Sequence, residues 1–287
     1  MQGEKNVIRG GTLYLVGTPI GNLSDMSDRA KKVLSEVDFI AAEDTRNSMK
    51  LLSAYGIKKE LVSYFEHNKK MSGERIIARL LSGESCALIT DAGMPAISDP
   101  GEDIVRLCAD ADIPVCVVPG ACAAVSALAL SAISTSRFCF EGFLPPKAAQ
   151  RKKQLEALKD EERTMIFYEA PHKLKATLSD MCSVFGENRK ISLCRELTKL
   201  NEETVRTTLG SAVEYYDSTE PRGEYVLVLE GAQPNSEESE LSSLSPKEHV
   251  EHYISLGMTK KDAIKAAAKD RGVPKSEIYK EVVENDN

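Results

Sequence analysis

The 287-residue chain has no tryptophan, only four histidines and no apolar run long enough to cross a bilayer. A membrane-spanning helix needs about 20 apolar residues in succession, so we expect no membrane partner. The polar start of the chain does not have the pattern of a signal peptide, and we expect a cytoplasmic protein. The net charge of −7 argues against a protein that coats nucleic acid nonspecifically, although a local basic groove is compatible with it.

Several signatures of metal and cofactor sites are also absent. The seven cysteines stand singly, without a CxxC pair, and no HExxH pattern occurs, so we expect no metal site. Most of the cysteines lie in apolar segments, where buried free thiols are common. Neither GxGxxG nor GxxxxGK[ST] is present, which argues against a dinucleotide-binding site and against a phosphate-binding P-loop.

Short apolar runs alternate with amphipathic segments over the first 120 residues. This alternation predicts a five-stranded parallel sheet covered by helices on both faces. The apolar runs CALI and VCVV fit strands buried on both sides, and Ser72 is a candidate N-cap for the third helix. The predicted strands are 12–16, 39–42, 61–65, 86–90 and 115–119, and the predicted helices are 28–37, 46–56, 72–83 and 101–111.

A second α/β segment follows. Two strands in succession over 190–209 predict an antiparallel hairpin, so its sheet should be mixed. The predicted strands are 138–144, 164–169, 190–197, 202–209 and 223–231, and the predicted helices are 121–132, 148–160, 172–186 and 210–218.

The composition changes after Gly231 to an acidic, serine-rich stretch, and helical periodicity then resumes in a short module with the outline of a helix-turn-helix. We therefore expect two α/β domains, a linker and a small helical module. The predicted boundaries are a flexible tail over 1–11, a cofactor-binding α/β domain over 12–120, a second α/β domain over 121–231, a linker over 232–246 and a helical module over 247–287.

Three loops rich in glycine and proline follow the ends of predicted strands: 17–23 (GTPIGNL), 91–101 (DAGMPAISDPG) and 119–124 (PGACAA). Ligands of open parallel sheets bind beyond the carboxyl ends of the strands. Glycine lets backbone approach a ligand closely, and proline fixes a turn. The carboxylates in these loops favour a ligand with hydroxyls or positive charge. Any one loop could be only a tight turn, but three on one sheet edge favour a binding site.

Motifs over residues 11–231 resemble, in matching order, the tetrapyrrole methylase family, and most closely its group that modifies small-subunit ribosomal RNA. The C-terminal stretch GMTKKDAIKAAAKDRGVPKSEIYK resembles the helical tail of that group. The matching segments are GTLYLVGTPIGNLSDMSDRA, AAEDTRNSMKLL, ALITDAGMPAISDPG, VPGACAAVSALALS, FEGFLPPK, FYEAPHKL, RELTKLNEE and RGEYVLVLEG.

The resemblance implies a two-domain class III methyltransferase fold that binds S-adenosyl-L-methionine between its domains. It further implies 2′-O-methylation of a cytidine ribose in 16S rRNA, with the assembled 30S subunit as substrate and a homodimer as the working form. No DNA partner is implied. Three positions depart from the family pattern. Met94 replaces the threonine of DAGTP, Ala96 replaces a larger aliphatic residue, and Ala121 in VPGAC replaces the more usual proline.

The resemblance also implies a set of site residues. The cofactor is expected against the three loops, with Tyr168 flanking the adenine; the loop residues are Pro19, Asp91, Ala92, Gly93, Met94, Pro119, Gly120, Ala121 and Cys122. The expected catalytic residues are Glu169, Lys199, Arg195 and Glu196, and the other candidates for handling the acceptor are His172, Glu43, Asp44 and Arg46. RNA phosphates are expected to meet Lys147, Arg151, Lys152 and Lys153.

Simpler interpretations of these residues stay open. Arg195 and Glu196 could form an ion pair at a strand end, and the acidic residues of EDTR could cap a helix. Two other functions also stay open: methylation of a small tetrapyrrole, and a nonenzymatic ribosome-binding factor. The sequence does not give the exact nucleotide, the general base, the role of the helical module or the effect of Met94 on cofactor affinity.

Overall fold

The computed structural model describes residues 7–233 and 244–283. The chain forms two compact units that divide after Gly231. Most of the predicted N-terminal tail and of the predicted linker lies outside the described residues. Among the described helices, none has the length and apolar character that crossing a membrane requires.

The first sheet has five parallel strands, as predicted, in the order β3-β2-β4-β1-β5. The strands are β1 Leu13–Val16, β2 Phe39–Ala42, β3 Glu60–Ser63, β4 Cys86–Ile89 and β5 Val115–Val118. The helices between them are α1 Asp28–Glu36, α2 Thr45–Ala54, α3 Lys69–Leu81 and α4 Glu102–Asp110, with a short 3-10 turn at Leu23–Asp25.

Two local predictions for this sheet are wrong. Strand β4 is buried along its whole length, but β5 is an edge strand, and Val115 and Val117 remain 36% and 53% exposed. Helix α3 begins at Lys69 after Asn68, whose side chain accepts a hydrogen bond from the backbone N–H of Phe65. Ser72 is a buried residue inside that helix and caps nothing.

The second sheet is mixed, as predicted, with strand order β6-β7-β10-β8-β9. Strands β6 and β7 are parallel, whereas β8 and β9 form the predicted antiparallel hairpin. Its strands are β6 Phe138–Phe143, β7 Thr164–Glu169, β8 Lys190–Arg195, β9 Glu203–Thr208 and β10 Tyr225–Leu229. Its helices are α5 Ala123–Leu130, α6 Ala148–Ala157, α7 Pro171–Phe185 and α8 Leu209–Ser218.

Among its described residues, the C-terminal unit has three short helices: α9 Pro246–Ser255, α10 Lys260–Asp270 and α11 Lys275–Val283. A capping box at Ser245 begins α9, and the Thr259 side chain accepts from the backbone N–H of Asp262 at the start of α10. Small and branched apolar side chains pack between the helices, among them Val250, Ile264, Ala267 and Ile278.

Candidate functional site

The three glycine-rich loops meet at the carboxyl edge of the first sheet. The backbone N–H groups of Thr18 and Gly93 each donate to the carbonyl of the other residue, at 2.9 and 3.1 Å, which ties the loop after β1 to the loop after β4. Gly17 touches Gly120 backbone to backbone, since a Cβ at Gly17 would lie 2.7 Å from the Cα of Gly120. Only glycine at both positions lets the loops after β1 and β5 approach so closely.

A cavity of about 290 Å³ lies between these loops and the second sheet. Its lining is mainly apolar, with carboxylates and one lysine at its polar part. Tyr168 of β7 is packed edge-on against Phe140 and Phe143, with ring centroids 4.9 and 5.5 Å away. The Tyr168 hydroxyl accepts a hydrogen bond from the backbone N–H of Ala124, and burial raises the pKa of Tyr168 to about 12. The tyrosine is therefore a fixed, neutral wall of the cavity.

The structure brings most of the predicted cofactor-binding and catalytic residues to this cavity. Those that line it are Ala92, Gly93, Met94, Cys122, Tyr168, Glu169, Glu196 and Lys199. Those that do not are Pro19, Asp91, Pro119, Gly120, Ala121 and Arg195. The Asp91 carboxylate instead accepts from the side-chain amide of Asn47 at 2.9 Å, and Gly120 makes the loop contact described above.

Other lining residues were not among the sequence candidates: Ile20, Ile97, Ser98, Asp99, Ala123, Phe143 and Glu224. Asp99 could have been predicted from the sequence, because it lies near the end of the loop that begins at Asp91. Phe143 and Glu224 could not have been predicted, because only the packing of the second sheet brings them to the cavity.

Three carboxylates interact beside the cavity. Burial, followed by the charges of Glu43 and Asp91, raises the pKa of Asp99 to about 6. Burial also raises the pKa of Glu43, and the charge of Asp91 adds to the shift. Repulsion between neighbouring carboxylates therefore adds to the effect of burial at both groups. A positively charged ligand would relieve this repulsion, and an anionic ligand would increase it.

Lys199 lies at the wall that belongs to the second sheet. Its ammonium donates to Glu196 Oε1 at 2.9 Å and to Glu224 Oε2 at 2.7 Å. Partial burial works to lower the pKa of Lys199, but the hydrogen bonds to Glu224 and Glu196 outweigh it and the net pKa is raised. Lys199 is therefore a fixed cation at neutral pH.

The loop that carries Lys199 is held in an unusual conformation. Glu196 and Thr198 adopt positive φ values of 51° and 66°, which are uncommon for residues other than glycine. Gly21 and Gly223 pack tightly against this loop. A Cβ at Gly21 would lie 2.4 Å from Lys199 Cγ, and a Cβ at Gly223 would lie 2.4 Å from Glu196 Cγ. Strained backbone of this kind clusters at functional sites.

Several of the other acceptor candidates have structural partners. Glu169 is buried, and its carboxylate accepts from Thr177 Oγ1 at 2.5 Å and from the N–H of Ala170 at 2.8 Å. Arg195 forms an ion pair with Glu203 at 3.1 Å, and Glu196 pairs with Lys199, so the interpretation of Arg195 and Glu196 as an ion pair is wrong. Asp44 caps α2 by accepting from the N–H of Arg46, so the helix-cap interpretation of EDTR holds for Asp44.

The basic surface of α6 is less extensive than expected. Arg151 is 6% exposed and pairs with Asp180 at 2.6 Å, so its guanidinium is buried in a structural ion pair and has no free face for a phosphate. Lys152 is exposed but shares the same carboxylate at 3.4 Å. Lys147 and Lys153 are exposed to solvent.

Residues 12–213 match the family model described as Tetrapyrrole (Corrin/Porphyrin) Methylases. The chain belongs to the tetrapyrrole methylase family. A protein named Ribosomal RNA small subunit methyltransferase I from Halalkalibacterium halodurans is 52% identical over 94% of this chain and 93% of its own length. The protein of the same name from Bacillus subtilis is also 52% identical, with the same coverage.

Solved structures of more distant proteins share the fold. A uroporphyrin-III-C-methyltransferase from Thermus thermophilus aligns with a TM-score of 0.54 and 19% identity, over 76% of this chain and 94% of that chain. Diphthine synthase aligns with a TM-score of 0.58 and 11% identity, over 76% of this chain and 89% of that chain. At such low sequence identities, the structural similarity shows only that the fold is shared. The predicted family and the two-sheet fold are confirmed.

Proposed function

We propose that this chain is an S-adenosylmethionine-dependent methyltransferase that methylates the 2′-hydroxyl of a cytidine ribose in 16S rRNA. The observation that carries the proposal is the cavity between the two sheets, with its apolar walls and surplus negative charge, in a chain that shares 52% identity with relatives named for small-subunit ribosomal RNA methylation.

The residues of the cavity suit the cofactor. S-adenosylmethionine supplies, when bound, an electrophilic methyl group on a positively charged sulfonium. The carboxylates of Asp99 and Glu43, whose pKa values are raised first by burial and then by the charge of neighbouring carboxylates, gain from a cation nearby. Phe143 and Tyr168 offer aromatic surface for a flat base. The backbone of Gly93 is fixed by Thr18, so this part of the cavity wall is rigid.

On the acceptor side, Lys199 acts as a fixed cation and not as a general base. Its ion pairs with Glu196 and Glu224 keep it protonated at neutral pH. Its positive charge beside the reacting hydroxyl would stabilise the negative charge that develops on the oxygen as the hydroxyl proton passes to solvent water. The two carboxylates hold the ammonium in position, so no reorganisation is needed during transfer.

The RNA reaches this site as a displaced nucleotide. A splayed nucleotide can enter a cavity, whereas a nucleotide paired in an A-form helix keeps its 2′-hydroxyl on the surface of the duplex, in the shallow groove. Three lysines on or next to α6 are exposed and available for phosphate contacts: Lys147, Lys152 and Lys153. Arg151 is not among the proposed RNA contacts, because it is buried in its ion pair with Asp180. The 30S subunit as substrate, the homodimer, a cytoplasmic location and the predicted domain boundaries belong to the same proposal.

A methyl-transfer assay tests the function. Purified protein with labelled S-adenosylmethionine is given small ribosomal subunits from cells that lack this protein, protein-free 16S rRNA, or a tetrapyrrole. We expect label on the intact subunit. Label on the tetrapyrrole alone would assign the chain to small-molecule methylation, and cofactor binding without any transfer would favour a nonenzymatic ribosome-binding factor.

A further inference from the structure

The C-terminal unit displays a row of lysines on one face of α10. Lys261, Lys265 and Lys269 follow at intervals of four residues, and all three are exposed. Residues four apart on a helix are neighbours on its surface, about one turn from each other. The opposite face carries Ala263, Ile264, Ala267 and Ala268, which are buried against the other helices of the unit. The lysine row is therefore held on a rigid, packed helix.

No described residue of the unit neutralises these lysines. Among the described residues, none of the three forms an ion pair. The acidic residues of the same helix are used elsewhere: Asp262 accepts from Thr259 Oγ1 at 2.7 Å, and Asp270 accepts from the Tyr253 hydroxyl. Like charges four residues apart repel each other and destabilise a helix. The row thus costs stability, and no contact within the described unit compensates for it.

The described helices of the unit are basic, although the unit as a whole is acidic. Residues 244–283 contain eight basic and six acidic side chains, whereas residues 232–287 contain eight basic and eleven acidic ones. An acidic body repels a polyanion, and a basic element attached to it offsets that repulsion locally. Aligned lysines attract a phosphate backbone without reading its sequence.

We propose that the α10 lysine row (Lys261, Lys265 and Lys269) binds the phosphate backbone of the ribosomal RNA substrate and holds the small subunit while the cavity acts on its nucleotide. The proposal rests on the proposed function, since it assigns the RNA-docking element of that same reaction. The row lies outside the part of the chain that the family model covers, residues 12–213. It contributes affinity and not chemistry, so its loss raises KM and leaves kcat unchanged.

The test uses the full-length double variant Lys261→Gln/Lys265→Gln. Methyl transfer to small subunits is measured at several salt concentrations. Loss of two phosphate contacts should lower the slope of log affinity against log salt by about 1 to 2, because each contact contributes about 0.7 to 0.9. We expect KM for the subunit to rise at least fivefold near physiological salt, with kcat and cofactor affinity as in the wild type.

Two controls separate docking from damage to the fold. Lys261→Arg/Lys265→Arg keeps both charges and should retain the wild-type KM. Lys50→Gln/Lys58→Gln removes two exposed lysines from the other unit and should leave KM unchanged. Lys261 lies in the first turn of α10, where a positive charge opposes the helix dipole. The glutamine variant should therefore unfold at the same temperature as the wild type, or a higher one.

An unchanged KM and salt slope in the glutamine variant, with a wild type that methylates subunits, would overturn the docking proposal alone. A wild type that methylates no RNA would overturn the proposed function first. Weaker binding to intact subunits with unchanged binding to protein-free 16S rRNA would also contradict the proposal, because the row would then bind a ribosomal protein.

Discussion

A Cβ placed on Gly120 would lie 2.8 Å from the Cα of Gly17, so the loops after β5 and β1 are in direct backbone contact. The same loop after β1 is tied by Thr18 to Gly93 of the third loop. One contact between two glycines therefore fixes the wall of the cavity against which the cofactor is proposed to lie.

Gly120→Ala should disturb this wall. The new methyl group meets backbone atoms that cannot rotate away, so the loops must separate, at a cost of about 1–3 kcal/mol in the free energy of unfolding. We expect at least tenfold weaker binding of S-adenosylmethionine by calorimetry. Gly56→Ala is the matched control, because Gly56 has a φ of +70° and no atom within 4 Å of the new Cβ. It should cost about 1 kcal/mol through strain and leave binding unchanged. Equal binding by both variants would contradict the account.

Asp99→Asn should stabilise the protein and weaken the site. The folded-state pKa of Asp99 is raised from 3.8 to about 6, so ionisation of this carboxyl is penalised in the folded chain. The penalty is absent below pH 4, grows as the pH rises to about 6 and is complete above it. At pH 7.5 the asparagine variant should therefore be more stable by up to about 3 kcal/mol. At pH 4 the advantage should disappear, which unfolding curves at both values can measure.

The same carboxylate should make cofactor affinity depend on pH. In the wild type, affinity for S-adenosylmethionine should fall as the pH drops through about 6, because protonation removes the charge that attracts the cationic ligand. The Asp99→Asn variant should bind weakly throughout and show a flatter profile. A wild-type affinity that is constant between pH 5 and 8 would contradict the assignment of Asp99 to the ligand.

Several features of the site could be predicted from the sequence, and the reasons are local. The loops after β1, β4 and β5 could be placed together because parallel strands end at one edge of a sheet. Phe143 and Glu224 could not be placed there, because their positions depend on how the second sheet packs against these loops. The exposure of Val117 depends on strand order, since β5 lies at the edge, and the apolar run VCVV does not reveal that order.

Lys199→Met should lower the rate of transfer more than the affinity for the cofactor. The variant keeps most of the side-chain volume but removes the cation held by Glu196 and Glu224. Removal of one such stabilising group costs about 10²-fold in kcat in other enzymes, and we expect a loss of that order. Lys175→Met removes a lysine that pairs with Glu220 and does not line the cavity, so its kcat should be unchanged. Equal kcat in both variants would show that Lys199 has no part in the transfer step.

Arg151→Met should act on stability. The substitution leaves the buried carboxylate of Asp180 with only the weaker contact from Lys152, and breaking a buried pair costs about 3–5 kcal/mol. Urea unfolding measures the loss, and the double variant Arg151→Met/Asp180→Leu should recover most of it. Lys153→Met should leave stability unchanged and weaken binding of the small subunit. A stable Arg151→Met protein with weakened RNA binding would contradict this account and would show that Arg151 contributes to RNA binding.

The central claim is tested most directly by the chemical position of the transferred methyl group. Small subunits labelled by the purified protein are digested to nucleosides and analysed by mass spectrometry. The account predicts a single labelled cytidine with the methyl group on its ribose, and an adjacent phosphodiester bond that resists alkali. Label on a base, or label spread over many nucleotides, would contradict it.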